Sequence, residues 1–234
     1  MSEGPGAGQG AQSPAVDALF GERAGLARRY ADHLAGTAVE RGLVGPREVP
    51  RLWERHILNC AVVTELIPRD LRVADIGSGA GLPGLVVGTA RPDLSVLLVE
   101  PLQRRVQWLT EVIADLQLDN VSVVRGRAEE LAGELSVDMA MARAVAGLAE
   151  LAAWCLPLVR PSGHFLALKG RTAVDELRSS ERALRQAGAA GWEILRVGGS
   201  LVAEPTTVVR IQAGTRPRPR RRGRTCRGGR TGRS

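Results

Sequence analysis

A run of apolar and β-branched residues that ends near an acid and opens at once into a dense glycine turn limits the fold of this chain more than any other stretch. It reads Val73-Ala74-Asp75-Ile76-Gly77-Ser78-Gly79-Ala80-Gly81-Leu82-Pro83-Gly84. Residues 72–76 have the character of a buried strand, and 82–91 that of the helix that follows. Gly77, Gly79 and Gly81 fall in the turn between them, where a missing Cβ permits unusual backbone angles and lets a ligand come close to the main chain. The same alternation recurs downstream. Strands are expected at 95–99, 121–124, 139–142 and 163–168, separated by helices that start at Leu82, Leu102, Ala128, Leu148 and Ala173. Repeated strand-helix units argue for a parallel, doubly wound sheet. A closing pair at 192–197 and 206–211 has no helix between its members and is expected to be antiparallel, which makes seven strands. Ahead of the sheet, 14–43 has helical spacing, Gly45-Pro46 breaks it, and a second helix is expected through Trp53 and Leu66. The organisation expected is a disordered leader at 1–15, an N-terminal helical cap at 16–68, the sheet domain at 69–213 and a basic disordered tail at 214–234.

The spacing of the glycines points to the ligand. A dinucleotide fingerprint, G-x-G-x-x-G, counted from Gly77 needs glycine at position 82, which is Leu82. Asp75, two residues before the first glycine, would repel a pyrophosphate seated on the turn but suits a cationic ligand, and S-adenosylmethionine is one. A phosphate-binding P-loop is excluded: no Gly-Lys-Ser or Gly-Lys-Thr follows the turn, and the single lysine of the chain is Lys169. Roughly twenty residues on, at the separation the ribose contact of such folds requires, the second strand ends in Glu100. Its carboxylate is placed to accept hydrogen bonds from a ribose diol; the other reading is an acid favouring the N-terminus of the next helix.

Charge is unevenly spread. The net charge is +7, yet nine of the 32 Lys+Arg residues lie in 216–234, which holds no acid; the remainder carries 23 bases against 25 acids. A nucleic-acid footprint must therefore be a local patch plus the tail, which can meet RNA phosphates with salt-dependent affinity or serve as a plain solvated extension. With 44% hydrophobic residues, the chain can bury one sizeable core. No apolar run is long enough to span a bilayer, and the N-terminus lacks the basic and apolar regions of a signal peptide, so the expected compartment is the cytoplasm. Cys60, Cys155 and Cys226 are too scattered for a disulfide framework or zinc site and are read as reduced.

Five segments together resemble the RsmG (GidB) family of small-subunit ribosomal RNA methyltransferases. They are Trp53-Glu54-Arg55-His56-Ile57-Leu58-Asn59, 75–84 with its Gly-Leu-Pro-Gly ending, Arg127-Ala128-Glu129-Glu130, Ala142-Arg143-Ala144 and Ala167-Leu168-Lys169-Gly170. The match runs from about Phe20 to Gln212. It implies a class I S-adenosylmethionine-dependent methyltransferase fold, Rossmann-like, with a doubly wound, mostly parallel seven-stranded sheet. The implied reaction is methylation of N7 of a guanine, guanine 527 in the 530 loop of 16S ribosomal RNA, on the small subunit or an assembly intermediate. The resemblance assigns Gly77, Leu82, Ala128, Glu129 and Arg143 to cofactor binding, with Ala128 and Glu129 at the adenine ring; the residue pattern adds Asp75, Gly79 and Glu100. No metal is implied.

The chemistry is narrowed by what the strand ends lack. Amino methyltransferases usually carry an Asn/Asp-Pro-Pro-aromatic motif after the fourth strand, where this chain has Met141-Ala142-Arg143-Ala144-Val145. Cytosine-C5 enzymes need a cysteine nucleophile, and neither Cys60 nor Cys155 has a suitable setting. Guanine N7 has an in-plane lone pair and no proton, so attack on a sulfonium methyl needs alignment and electrostatics and no general base. Arg143 and Lys169, at the ends of the fourth and fifth strands, are therefore candidates for positioning RNA. His56 is read as a hydrogen-bonded structural residue near the cleft, and the four tryptophans are too dispersed to form a stacking platform. Two other functions stay open on the residues alone: a class I methyltransferase acting on a small molecule or protein, and a non-catalytic ribosome-binding protein.

Overall fold

A computed structural model describes residues 11–143 and 146–215. The glycine-rich leader up to residue 10, the two residues after Arg143 and the arginine-rich tail from 216 lie outside the described residues.

Seven strands form one sheet: β1 (Arg72–Ile76), β2 (Ser95–Glu100), β3 (Val121–Arg125), β4 (Val137–Arg143), β5 (Val159–Lys169), β6 (Ala189–Val197) and β7 (Thr206–Ala213). Their order across the sheet is β3-β2-β1-β4-β5-β7-β6. The first five are parallel, and β7 runs antiparallel between β5 and β6. The order reverses between β1 and β4, and in such sheets the crevice beyond the carboxyl ends at the reversal is where ligands bind. All seven strands fall where the sequence places them; β1 matches its expected bounds, and β5 extends furthest beyond them, starting at Val159 rather than at 163.

Alternation along the strands divides the molecule into two cores. Val73, Val96, Leu98, Met139, Met141, Leu166 and Leu168 face one layer, while Ala74, Ile76, Val99, Ala140, Ala142, Phe165 and Ala167 face the other. Against the first layer pack α1 (Pro14–Phe20), α2 (Ala24–Ala35), α3 (Thr37–Glu40), α4 (Leu58–Ala61), α5 (Gly84–Ala90) and α6 (Gln103–Leu116). The short α7 (Ala128–Leu131), α8 (Leu148–Cys155) and α9 (Ala173–Ala187) cover the second. The N-terminal helices thus share a hydrophobic core with the sheet, burying Tyr30, Leu34 and Ile57 completely or nearly so.

The first helix begins at Pro14, where the helical spacing begins, because Ser13 caps it through its hydroxyl and Pro14 suits the first helical turn. One local difference from the sequence reading has a physical cause. The second N-terminal helix is not one regular α-helix. Pro46–Arg51 is 3-10, Leu52–Ile57 is a π-turn segment, Leu58–Ala61 is α-helical and Val62–Leu66 is 3-10 again. Pro50, inside the segment, lacks the N–H that an α-helical ladder needs, and π segments concentrate at functional sites. This one carries His56.

Candidate functional site

At the carboxyl ends of β1, β2 and β4 two cavities meet at Gly77. One, of about 290 Å³, is walled by Ile76, Val99, Leu102, Ala128 and Trp154, with Glu100 and Glu129 as its acids. The other, of about 230 Å³, runs over Gly77–Gly79 and Leu82 to Arg143, and is closed by Leu43, Glu48, Leu52 and His56 from the N-terminal segment. Arg105 on α6 borders both.

The glycine turn between them is fixed by hydrogen bonds from three directions. Gly77, Gly79 and Gly81 all have positive φ, at 72°, 57° and 84°, which side chains with a Cβ rarely adopt. The Gly79 N–H donates to Glu100 Oε2 at 3.0 Å, and the Leu102 N–H to the other oxygen of the same carboxylate at 3.0 Å. Tyr30, buried on α2, donates its hydroxyl to the Ala80 carbonyl at 2.5 Å. Beneath the turn, the Gly84 N–H donates to Asp75 Oδ2 at 2.9 Å. A side chain at Gly84 has no room: a Cβ there would come within 2.6 Å of that same oxygen.

Strand parity decides where each strand-end residue points. Arg143 follows Met139 and Met141 on the face toward the N-terminal helices, and there its guanidinium meets His56 Nδ1 at 3.1 Å and the Arg55 carbonyl at 3.5 Å. His56 Nε2 lies 2.8 Å from Glu48 Oε2. Arginine only donates, so Nδ1 must accept and the imidazole proton sits on Nε2, directed at Glu48. Burial, helped by the Arg143 charge, lowers the His56 pKa below the usual imidazole value despite the opposing pull of Glu48. The hydrogen bond from His56 is the main influence holding Glu48 below the usual carboxylate range. His56 is therefore a neutral bridge between an acid and the cleft arginine.

Two expected site residues lie elsewhere. Asp75 lines neither cavity: it is wholly buried under the turn, and its Oδ1 has no hydrogen-bond partner among the described residues. Burial raises its pKa to about 7, against the lowering effect of the Gly84 N–H. Its direct role is to fasten the start of α5. Lys169 lies farther from its expected place. It follows Phe165 and Ala167 in parity, so it points to the opposite layer from Arg143. Its ammonium binds Glu176 at 2.8 Å and the Ala146 carbonyl at 3.0 Å, and the same Glu176 oxygen accepts the Leu148 N–H at 2.6 Å. Lys169 ties β5 to the start of α8 and to α9 and does not face the cleft.

Gly77, Leu82, Ala128, Glu129, Glu100 and Arg143 all border the two cavities, and Gly79 carries the backbone bond to Glu100. Glu48, Trp154, Leu102 and Arg105 also line the site without having been singled out from sequence. Glu48 could have been found from its spacing of eight residues to His56, and Trp154 from its place on the first helix after β4. Cys60 and Cys155 are buried, and burial raises the Cys60 thiol to about 11 and Cys155 well above its ordinary value. Both are protonated at neutral pH and neither is a nucleophile.

An open sheet in this order, with one antiparallel strand slotted next to its edge and a glycine turn opening at the reversal point, is the architecture of class I methyltransferases. Solved structures agree on the fold. The precorrin-6y C5,15-methyltransferase of Geobacter metallireducens superposes with a TM-score of 0.50 at 16% identity, covering 73% of this chain and 90% of that one. Aeropyrum pernix fibrillarin, solved with S-adenosyl-L-methionine natively bound, gives a TM-score of 0.50 at 18% identity over 67% of this chain and 74% of the other. The sequence goes further than the fold. The chain belongs to the GidB family, rRNA small subunit methyltransferase G, which matches residues 24–199. It is 53% identical over 206 residues to the Ribosomal RNA small subunit methyltransferase G of Renibacterium salmoninarum, covering 88% of this chain and 96% of that protein. The protein of the same name from Streptomyces coelicolor is 54% identical over 200 residues, 85% of this chain and 84% of the relative.

Proposed function

We propose that this protein methylates N7 of guanine 527, in the 530 loop of 16S ribosomal RNA, with S-adenosylmethionine as methyl donor, in the cytoplasm and on the small subunit or an assembly intermediate of it. The observation that carries this reading is the junction at Gly77 of a mainly apolar cavity with a second cavity that ends at Arg143, in a chain of the GidB family.

The residues fit that donor. Ile76, Val99, Ala128 and Trp154 offer apolar walls to an adenine ring, with the Glu129 carboxylate at the mouth. Glu100 accepts two backbone N–H bonds and, as a carboxylate with about four lone-pair sites, retains capacity for ribose hydroxyls. The second cavity is left for the amino-acid end, over Gly77 and Gly79 toward Leu82 and Arg143, and for the target base. When bound, the donor supplies an electrophilic methyl on a sulfonium. N7 of guanine bears no proton, so the chain has only to align its substrates and match their charge. Arg143 is suited to that task because His56 and the Arg55 carbonyl fix its guanidinium without neutralising it. The arginine-rich tail adds a sequence-independent contact to RNA phosphates.

Mass spectrometry of small-subunit rRNA digests from cells with and without the gene tests this directly. A 7-methylguanosine at position 527 that disappears on deletion is expected; an unchanged methylation profile refutes it.

A further inference from the structure

The segment that closes the second cavity has another row of side chains beside the one that lines it. Glu48, Leu52 and His56, four residues apart, form the cavity wall. Arg47, Arg51 and Arg55 each stand one residue before a wall residue, and all three are exposed. None takes part in an ion pair or a side-chain hydrogen bond among the described residues. Elsewhere on this layer Arg28 pairs with Asp17, Arg29 with Asp115 and Arg41 with Glu111. Of the two acids on the same segment, Glu48 is occupied by His56, leaving Glu54 alone against three guanidinium groups. After the His56 hydrogen bond, which acts most strongly, Arg55 and Arg51 also lower the Glu48 pKa, as expected of charges close to the cavity mouth.

The described body of the protein has no broad basic surface to draw RNA in: outside the tail, acids slightly outnumber bases. A base can reach the second cavity only if its strand passes the mouth, and the side of the mouth formed by this segment carries the unpaired arginines. We infer that Arg47, Arg51 and Arg55 form a track for the sugar-phosphate backbone of single-stranded RNA flanking the target guanine. The inference rests on the function proposed above and adds the surface by which the substrate is held. Arginine suits such a track, since its planar fork binds phosphate oxygens in pairs. Phosphate contacts of this kind fix register and carry no sequence information.

The test compares the full chain with a triple variant, Arg47→Gln, Arg51→Gln and Arg55→Gln, in methyl transfer to 16S ribosomal RNA in small-subunit particles. A charge-matched control replaces Arg69, Arg178 and Arg182, which are exposed and line neither cavity. Each lost phosphate contact on a single strand lowers the slope of log affinity against log salt by about 0.7, so three should lower it by about 2. The track variant is expected to raise the KM for RNA by about tenfold or more at moderate salt and to flatten its salt dependence. Its kcat and its affinity for S-adenosylmethionine, read by calorimetry without RNA, should match wild type, and the control should match wild type throughout. A track variant with the same KM and salt slope as the control would overturn the proposal while leaving the function intact. Loss of cofactor affinity together with kcat would overturn it too, by making the three arginines a part of the fold. A wild-type chain that transfers no methyl to this RNA removes the proposed function, and the track with it.

Discussion

Replacing Asp75 by asparagine isolates the cost of burying its carboxylate. The Asp75 carboxyl is fully buried, one oxygen fastens Gly84, the other has no partner among the described residues, and its pKa is raised from 3.8 to about 7. An acid whose pKa is raised on folding binds protons more tightly in the folded state, so its contribution to stability is greatest at low pH and declines as pH rises from the unfolded value toward the folded one. The decline totals about 4 kcal/mol, since each pKa unit corresponds to about 1.4 kcal/mol. Of this, roughly 2–3 kcal/mol falls between pH 5 and pH 8.

Asparagine keeps an oxygen for the Gly84 N–H and has no charge to bury. Urea unfolding of both proteins at a series of pH values gives the difference between them, in which the other titrating groups largely cancel. Asp75→Asn should gain on wild type by about 2–3 kcal/mol from pH 5 to pH 8, with the gain levelling off above pH 8. Parallel curves would refute the reasoning, since they would mean that the buried carboxylate is ionised in the folded protein at little cost.

His56→Ala removes the acceptor that orients Arg143, a hydrogen bond to a charged group of about 1.5–3 kcal/mol, so kcat/KM should fall by roughly tenfold to a hundredfold. His56→Asn, which can present an amide oxygen to the guanidinium, should recover part of the loss. Because Nδ1 must be unprotonated to accept, wild-type activity should fall as pH drops through the lowered His56 pKa, and the asparagine variant should lack that acid limb. Tyr30→Phe leaves the Ala80 carbonyl without its hydroxyl donor at a cost of about 1–3 kcal/mol, measured by denaturant unfolding, and should weaken S-adenosylmethionine binding in calorimetry by loosening the turn. Gly84→Ala forces a methyl against Asp75 and Leu98, so a destabilisation of about 1–3 kcal/mol is expected, with thermal unfolding as the readout.

The sequence makes the sheet legible because its strands are short apolar runs bounded by turns, and period-two burial keeps them in register. Glu100, Ala128 and Arg143 could be located for the same reason, since each stands at or just beyond a strand's carboxyl end. Lys169 misled because position in the chain was read without parity: Arg143 pairs in register with Leu168, so Lys169, one step farther, faces the other layer. Asp75 was read as a charge facing the ligand, yet it follows Val73 toward the first core, where α5 covers it. The segment 46–66 was legible as helical but not in its number of residues per turn, because the change from 3-10 to π and back depends on packing against the sheet as well as on Pro50. That change sets the wall residues Glu48 and His56 within hydrogen-bonding distance.

Charge placement separates the tasks of the two substrates. Methyl transfer to N7 moves a positive charge from sulfonium to guanine without creating or removing one, and no proton leaves. The site has no need for a group that changes protonation during the reaction; it needs charges that stay where they are. The chain keeps Glu100 at the turn, where its position is fixed by the Gly79 and Leu102 N–H groups. Arg143 projects into the cleft, held by a histidine that stays neutral because burial disfavours its charged form. Arg47, Arg51 and Arg55 stand outside, on the segment that forms the mouth. A histidine acting as proton carrier would need to exchange its proton with the target, but N7 offers none, and the Nδ1 of His56 is already occupied by Arg143. The Glu48–His56–Arg143 chain is therefore a positioning device, and its variants should change the alignment of donor and base without altering which atom is methylated.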